Sequence, residues 1–330
     1  MPETARSPIR LGVIGCGTIA RMHLGASSHC PDASFTAASS RSSAALEAIA
    51  DEHTIPHRFS DWRELVAAPE VDAVVICLPD GLHAEVTCEA AKRGKHVLVE
   101  KPMASNIGQA KAMVEAADAS GVTLMVAQVV RQIPSYQLAR RLMQEGAIGS
   151  VRECTQRRLF HKDSQAQIER LPWMHDRTLC TDPLLYGFGS HDLDALLWLS
   201  GDDARTVHAR GVRHRTWSAW ESIDVSVAMG AGYSAKVLLS LDADGTTWDT
   251  VISGTEGEIQ IYPDKVVVNG AETPCPCTHD GVFGAQLAEF VSCVRNGEEP
   301  GPSGSQVLPT MAVLDGALES LSSDAVVNLV

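Results

Sequence analysis

No Cys-x-x-Cys pair occurs among the nine cysteines, which are scattered along the chain, several of them in apolar segments. That spacing excludes a zinc ribbon and suits free thiols in a reducing compartment, as does the odd count. Cys275-Pro276-Cys277 with His279 and Asp280 offers ligand-type side chains, but two thiols in a Pro-rich turn lack a second ligand pair, so no metal is expected. Positive charge is also scarce: 27 Lys and Arg against 41 Asp and Glu leave a net charge of −14. This argues against nucleic acid or an anionic membrane as the main partner and for a small ligand. Long apolar runs are missing. The start, Met1 to Arg10, is polar with two arginines, and the apolar stretch behind it is short and broken by glycine, unlike a signal peptide or membrane span. A cytoplasmic protein is expected. Internal repeats and low-complexity tracts are absent, which leaves ordinary globular domains.

What is present is enough chain for two such domains, since 330 residues exceed the size at which single cores stop growing. From Ile9 to Gln128, apolar runs at Ile9–Ile14, Ser34–Ser39, Val71–Leu78, His96–Val99 and Val122–Ala127 predict strands. The helical patterns Ala44–Glu52, Trp62–Ala67, Ala84–Arg93 and Gln109–Ala119 lie between them. Val71–Leu78 is almost continuously apolar, as a central parallel strand covered on both faces must be. This alternation predicts an N-terminal Rossmann domain, a doubly wound parallel sheet over residues 1–128.

The texture then changes. Helical Ser135–Glu145, strand-like Val151–Phe160 and helical Leu184–Leu199 precede six closely spaced strands from Val207–Val212 to Lys265–Val268, with Asn269-Gly270 as a hairpin turn. Helices Phe283–Arg295 and Ser305–Leu321 follow. Residues 129–330 are thus expected to form a C-terminal α+β domain with a large, mostly antiparallel sheet. Its second face needs a cover, and self-association into a homodimer or homotetramer is one way to provide it.

Chemistry in an open α/β sheet lies just beyond the carboxyl ends of the strands. After the first comes Gly15-Cys16-Gly17-Thr18-Ile19-Ala20, the layout of a dinucleotide-binding turn. There one glycine makes the tight bend, the next lets backbone N–H groups approach a pyrophosphate, and a small third residue packs helix on strand. After the second strand an NAD enzyme usually places an Asp or Glu for the ribose 2′-OH. Here Ser39-Ser40-Arg41-Ser42 follows instead, and Asp32 lies at the wrong end. Ser40 and Arg41 suit a 2′-phosphate, so NADP is the expected cofactor, with NAD possible; the bland alternative makes Arg41 a solvated loop charge. Leu78-Pro79-Asp80-Gly81-Leu82 leads to His83 in the first turn of a helix, where the dipole favours the neutral imidazole. His83 either meets the nicotinamide side of the cofactor or packs locally. At the next strand end, Glu100-Lys101-Pro102 points an ammonium into the crevice, where it can hydrogen-bond and polarise a substrate oxygen.

With these residues the chain resembles the glucose-fructose oxidoreductase, inositol dehydrogenase and MocA (Gfo/Idh/MocA) family of NAD(P)-dependent oxidoreductases. The resemblance covers nearly the whole chain. It rests on the glycine turn, on Gly94 to Pro102, on Arg131 and Pro134, on Gly146-Ala147-Ile148-Gly149, and on His191 with Asp194. It implies that Lys101 acts beside the nicotinamide and that the substrate is a sugar, polyol or related cyclic hydroxy or keto compound.

One departure stands out. The family pattern has a Gly-rich approach and then an Asp four residues before the His, that Asp and His serving proton transfer. Here Thr181-Asp182-Pro183 replaces the glycines and Gly187 replaces the Asp, while His191 stays. Tyr186 could donate a proton in the absent group's place, or His191 could be a buried structural residue. Asp194 is expected to brace its helix. Trp173, with His175, Asp176, His161 and Lys162, is a candidate substrate contact in a loop-like segment that could equally be a surface lid. The expected function is NADP-preferring interconversion of a secondary alcohol and its ketone, Lys101 holding the reacting oxygen and His191 relaying the proton. Cofactor contacts are expected from Gly15, Gly17, Thr18, Ile19, Ser40, Arg41, Leu78, Pro79, His83, Glu100 and Lys101. The rivals are an NAD-assisted glycoside-cleaving enzyme and a non-catalytic dinucleotide-binding regulator.

Overall fold

Six parallel strands, β1 (Ile9–Ile14), β2 (Ala33–Ser39), β3 (His57–Phe59), β4 (Ala73–Ile76), β5 (His96–Val99) and β6 (Leu124–Val126), form the first sheet of the computed structural model, in the order β3-β2-β1-β4-β5-β6. The structure describes residues 7–162, 171–215 and 219–329. Helices α1 (Thr18–Ala26), α2 (Ser43–Glu52), α3 (Trp62–Ala67), α4 (His83–Lys92) and α5 (Ile107–Ser120) fall between successive strands. The order 3-2-1-4-5-6 is that of the doubly wound dinucleotide fold, with its switch point beside β1. All four residues of β4 are buried, as the unbroken apolar run requires. The added strand, β3, is a half-exposed His-Arg-Phe with no apolar pattern to announce it.

The second sheet has nine strands. These are β7 (Val151–His161), β8 (Ala204–Arg213), β9 (Trp220–Met229), β10 (Ser234–Ala243), β11 (Thr247–Gly254), β12 (Glu258–Tyr262), β13 (Lys265–Val268), β14 (Ala271–Pro274) and β15 (Val327–Asn328). Their order is β14-β13-β12-β11-β7-β10-β9-β8-β15, antiparallel except for the β7–β10 pair. Residues alternate between buried and half-exposed along β10, so one face is core and the other is not. Asn269 and Gly270 both take positive φ, 50° and 85°, and turn β13 into β14. Helices α6 (Pro134–Gln144), α7 (Ser190–Ser200), α8 (His279–Asn296) and α9 (Gly304–Ser323) complete the chain.

The chain divides into two units, and the division differs from a single cut after residue 128. One unit holds residues up to Met103, Gln109–Ala127 and Thr278–Gln306; the other holds Ala104–Gly108, Gln128–Cys277 and Val307 onward. The chain returns to the nucleotide-type unit because α8 completes its core. Leu287, Phe290 and Val291 are buried with Leu11, Leu24, Ile49, Val75 and Leu98. Truncating an aromatic of this kind costs about 3–5 kcal/mol, so α8 is integral to that unit.

Candidate functional site

Within the first unit, the bend after β1 accepts only glycine at one position. Gly15 has φ +97°, and a Cβ there would sit 2.3 Å from the Cys77 carbonyl oxygen. Its N–H donates to Ser39 O at 2.9 Å, drawing the ends of β1 and β2 together. Gly17 is the N-cap of α1, and no side chain caps that end. A Cβ at Gly17 would meet nothing within 4 Å. The N-terminus of α1 thus has no side-chain cap and open space beside Gly17, an arrangement that suits an anionic diphosphate. The residues present thus fit a dinucleotide: Gly15, Gly17, Thr18 and Ile19 would hold its phosphates.

At the end of β2, Ser40 is half-buried and accepts the Ser42 N–H at 3.2 Å, while Arg41 is exposed. Ser42 caps α2 by accepting from Ala45 N–H. Asp32, at the other end of β2, is paired with Arg295 at 2.6 Å. Ser40 and Arg41 would therefore meet the adenosine end of the nucleotide.

Beyond β4 and β5 the backbone is held by two buried histidines. His83 places Nε2 2.7 Å from Leu78 O and Nδ1 2.8 Å from Pro102 O. Both ring nitrogens are taken up by backbone oxygens, which leaves neither over for a cofactor contact. His83 is a brace between the Leu78-Pro79 turn and the Lys101 segment. On the other side, His23 of α1 places Nε2 2.8 Å from Glu100 Oε1, and Glu100 Oε2 accepts the Lys101 N–H at 3.2 Å. Glu100 is therefore a buried brace, while Lys101 is half-buried and its peptide to Pro102 is cis.

In the second unit, His191 lies in the first turn of α7 and is half-buried. Two carboxylates fix that helix. Asp194 takes two hydrogen bonds from Arg131, 2.8 and 2.7 Å, and a third from Thr310 at 3.1 Å, bracing the helix as expected. Asp192 takes two from Arg158, each 2.7 Å, and one from Gln156 at 2.8 Å. Positions two apart point to nearly opposite sides of a helix, so α7 is anchored on both. Arg158 also lies over the Trp248 ring, 4.2 Å from its centroid. The sequence reading assigned nothing to Asp192, because its partners lie 34 and 36 residues away.

The approach to His191 is a turn of π-helix, Leu185–Gly189, rather than continuous α-helix. Both Tyr186 N–H and Gly187 N–H donate to Asp182 O at 3.0 Å. The Asp182 carboxylate caps the turn by accepting from Leu184 and Leu185 N–H, and burial pushes its pKa up. Such bulges recur at functional sites. Tyr186 is buried, with its hydroxyl donating to Asp315, whose other oxygen accepts the Ile107 N–H at 2.8 Å. The Tyr186 hydroxyl thus binds the half-buried Asp315 carboxylate and braces the turn, a contact that the proton-donor expectation did not include. The position that lacks the family's Asp has room, since a Cβ at Gly187 would have Asp182 O at 3.9 Å as its nearest neighbour.

Trp173 is half-buried in a short 3-10 turn, Pro172–His175. Asp176 Oδ1 accepts Thr178 N–H at 2.9 Å, a local turn bond, and Lys162 pairs with the exposed Asp244. Asp176 is thus a turn-former and Lys162 a surface charge, leaving Trp173 and His175 as candidate contacts. Among the described residues no helix is long and apolar enough to cross a membrane.

Comparison with known proteins agrees with this geometry. Residues 9–128 match the family described as "Oxidoreductase family, NAD-binding Rossmann fold", and residues 136–260 match the "GFO/IDH/MocA C-terminal domain". The chain is 25% identical to 4-carboxy-2-hydroxymuconate-6-semialdehyde dehydrogenase of Sphingobium sp., over 94% of this chain and 98% of that one. It is equally 25% identical to inositol 2-dehydrogenase of Rhizobium meliloti, over 97% and 99%. In fold it is similar to the aldose-aldose oxidoreductase from Caulobacter crescentus, solved with glycerol, with TM-score 0.87 and 23% identity over 98% of this chain and 100% of that one. The chain belongs to the GFO/IDH/MocA family of NAD(P)-dependent oxidoreductases.

Proposed function

We propose that this protein interconverts a secondary alcohol and its ketone on a sugar, polyol or related cyclic compound, with NADP preferred. The observation that carries the reading is the strand end Glu100-Lys101-Pro102, pinned by two buried histidines in the same unit as an uncapped, glycine-opened helix N-terminus. When bound there, the nicotinamide accepts or supplies the hydride. Lys101 would hydrogen-bond the reacting oxygen and stabilise the charge it gains as its proton leaves. His191, carried by the doubly anchored α7, would take or return that proton. With Gly187 in place of a carboxylate, nothing at that position favours the imidazolium, so His191 would work as a simple base or acid.

NADP preference follows from Ser40 and Arg41 standing where a ribose-binding carboxylate would otherwise lie, and from Asp32 being held by Arg295. The substrate class follows from the relatives' names, which include an inositol and an aldose oxidoreductase. We place the protein in the cytoplasm, a reducing setting that suits an odd number of scattered cysteines without a Cys-x-x-Cys pair. Dimers or tetramers would form through the half-exposed face of the nine-stranded sheet, and light scattering of the purified protein reports their mass.

The reaction is tested by incubating myo-inositol, D-glucose, D-xylose and their keto forms with NADP or NAD and following the absorbance of the reduced nicotinamide. Turnover of at least one compound, faster with NADP, is expected. Release of sugar from glycosides without net change in NADPH would instead establish the glycoside-cleaving rival.

A further inference from the structure

His23 is a costly residue for its position. It lies on α1 with 0% exposure, against the Phe283 ring, where an apolar side chain would fill the same volume without burying polar atoms. Its Nε2 makes the 2.8 Å bond to Glu100, and its Nδ1 has no hydrogen-bond partner. The Phe283 ring stands edge-on to it, 5.2 Å between centroids and 83° between planes, which restricts rotation of the imidazole. The one polar task the packing leaves to His23 is therefore to hold the Glu100 carboxylate.

That carboxylate acts at the reactive end of the chain. One of its oxygens faces His23 and the other accepts the backbone N–H of Lys101. The lysine segment is held again one residue on, where Pro102 O meets His83. Because α1 begins at the open glycine turn, the helix that would bear the nucleotide phosphates also holds Glu100. A shift of α1 by a fraction of an ångström would be handed to the Lys101 backbone.

We propose that His23 is a positioning residue for Lys101, acting through Glu100, so that the helix under the nucleotide diphosphate and the ammonium that meets the substrate oxygen are set by one buried contact. The proposal rests on the reading of Lys101 given above. Misplacing a reacting group by about 1 Å can cost about a hundredfold in rate, which sets the scale of the effect.

The test uses the full-length protein and the panel compound it turns over fastest. H23A is expected to lower kcat by about tenfold to a hundredfold with the Kd for NADPH changed less than about threefold. H23Q, whose amide N–H can again donate to Glu100, is expected to recover much of the loss, and H23L, which fills the volume without a donor, replaces H23A if that variant does not fold. H23A/K101A should be no slower than K101A alone, because removing the ammonium leaves nothing to position. Reductive methylation followed by mass spectrometry gives a readout that needs no substrate: the rate at Lys101 relative to exposed Lys92 should rise more than about threefold in H23A or H23L and stay near the wild-type ratio in H23Q. Unchanged kcat or an unchanged Lys101 methylation ratio in H23A or H23L overturns the proposal, and so does a double variant whose losses simply add. A K101A enzyme that keeps wild-type turnover brings down the prior reading of Lys101 instead.

Discussion

Arg131 and Asp194, 63 residues apart, face each other through two parallel N–H···O bonds in the interior of the second unit, with side chains 6% and 0% exposed. Such a pair is valuable for geometry rather than for net stability, since desolvating two charges offsets most of their attraction. Removing one partner strands the other. D194A should therefore destabilise the protein by about 3–5 kcal/mol, and R131M/D194L should restore most of that stability. Urea denaturation of the three proteins measures both effects, and a D194A variant within about 0.5 kcal/mol of wild type would contradict the assignment.

The Gly187 position offers a direct chemical addition. A Cβ fits there, so G187D should fold with a melting temperature within a few degrees of wild type. Placed four residues before His191, the new carboxylate favours the imidazolium. The charged form then persists to higher pH, so the alkaline-rising limb of the oxidation rate should move upward by about one pH unit. A pH-rate profile of kcat/KM for the two proteins settles the sign; a limb that moves down would contradict the placement of His191 in the reaction.

In the proposed function, Arg41 would carry the choice of cofactor. R41A should weaken NADPH binding about tenfold to a hundredfold while leaving NADH binding within about threefold. Fluorescence titration of the bound reduced nicotinamide measures each. Equal losses for both nucleotides would show that Arg41 meets something other than a 2′-phosphate.

Tyr186 should tolerate loss of its hydroxyl. Y186F removes the bond to Asp315, which costs about 1–2 kcal/mol of stability, and kcat should stay within about threefold of wild type. A kcat loss of about a hundredfold or more would return Tyr186 to the role of proton donor.

The elements most legible from sequence are those with strong patterns. The all-apolar run Ala73–Ile76 of β4 and the glycine bend at Gly15 each answer to a single physical demand, burial on both faces in one case and a positive φ against a carbonyl in the other. Elements without such a signature escaped: β3 and the exposed β14 carry no apolar alternation. The apolar stripe of α8 shows that it packs, but no local pattern tells which core receives Phe290. The same limit governs the candidate site. Lys101 and His191 are readable as chemistry in place, whereas their supports are contacts between distant residues, His23 with Glu100 across 77 positions and Arg158 with Asp192 across 34. The π-turn at Leu185–Gly189 has the composition of a helix start, and only its hydrogen bonds to Asp182 and Leu184 reveal it.

The account depends most on the Lys101 ammonium stabilising the oxygen that reacts. K101M keeps the length of the side chain and removes its charge, so comparing its kcat and NADPH dissociation constant with those of the wild type isolates that role. A kcat loss of about a hundredfold or more with NADPH binding held within about threefold is the predicted result; a K101M enzyme that turns over at the wild-type rate would contradict it.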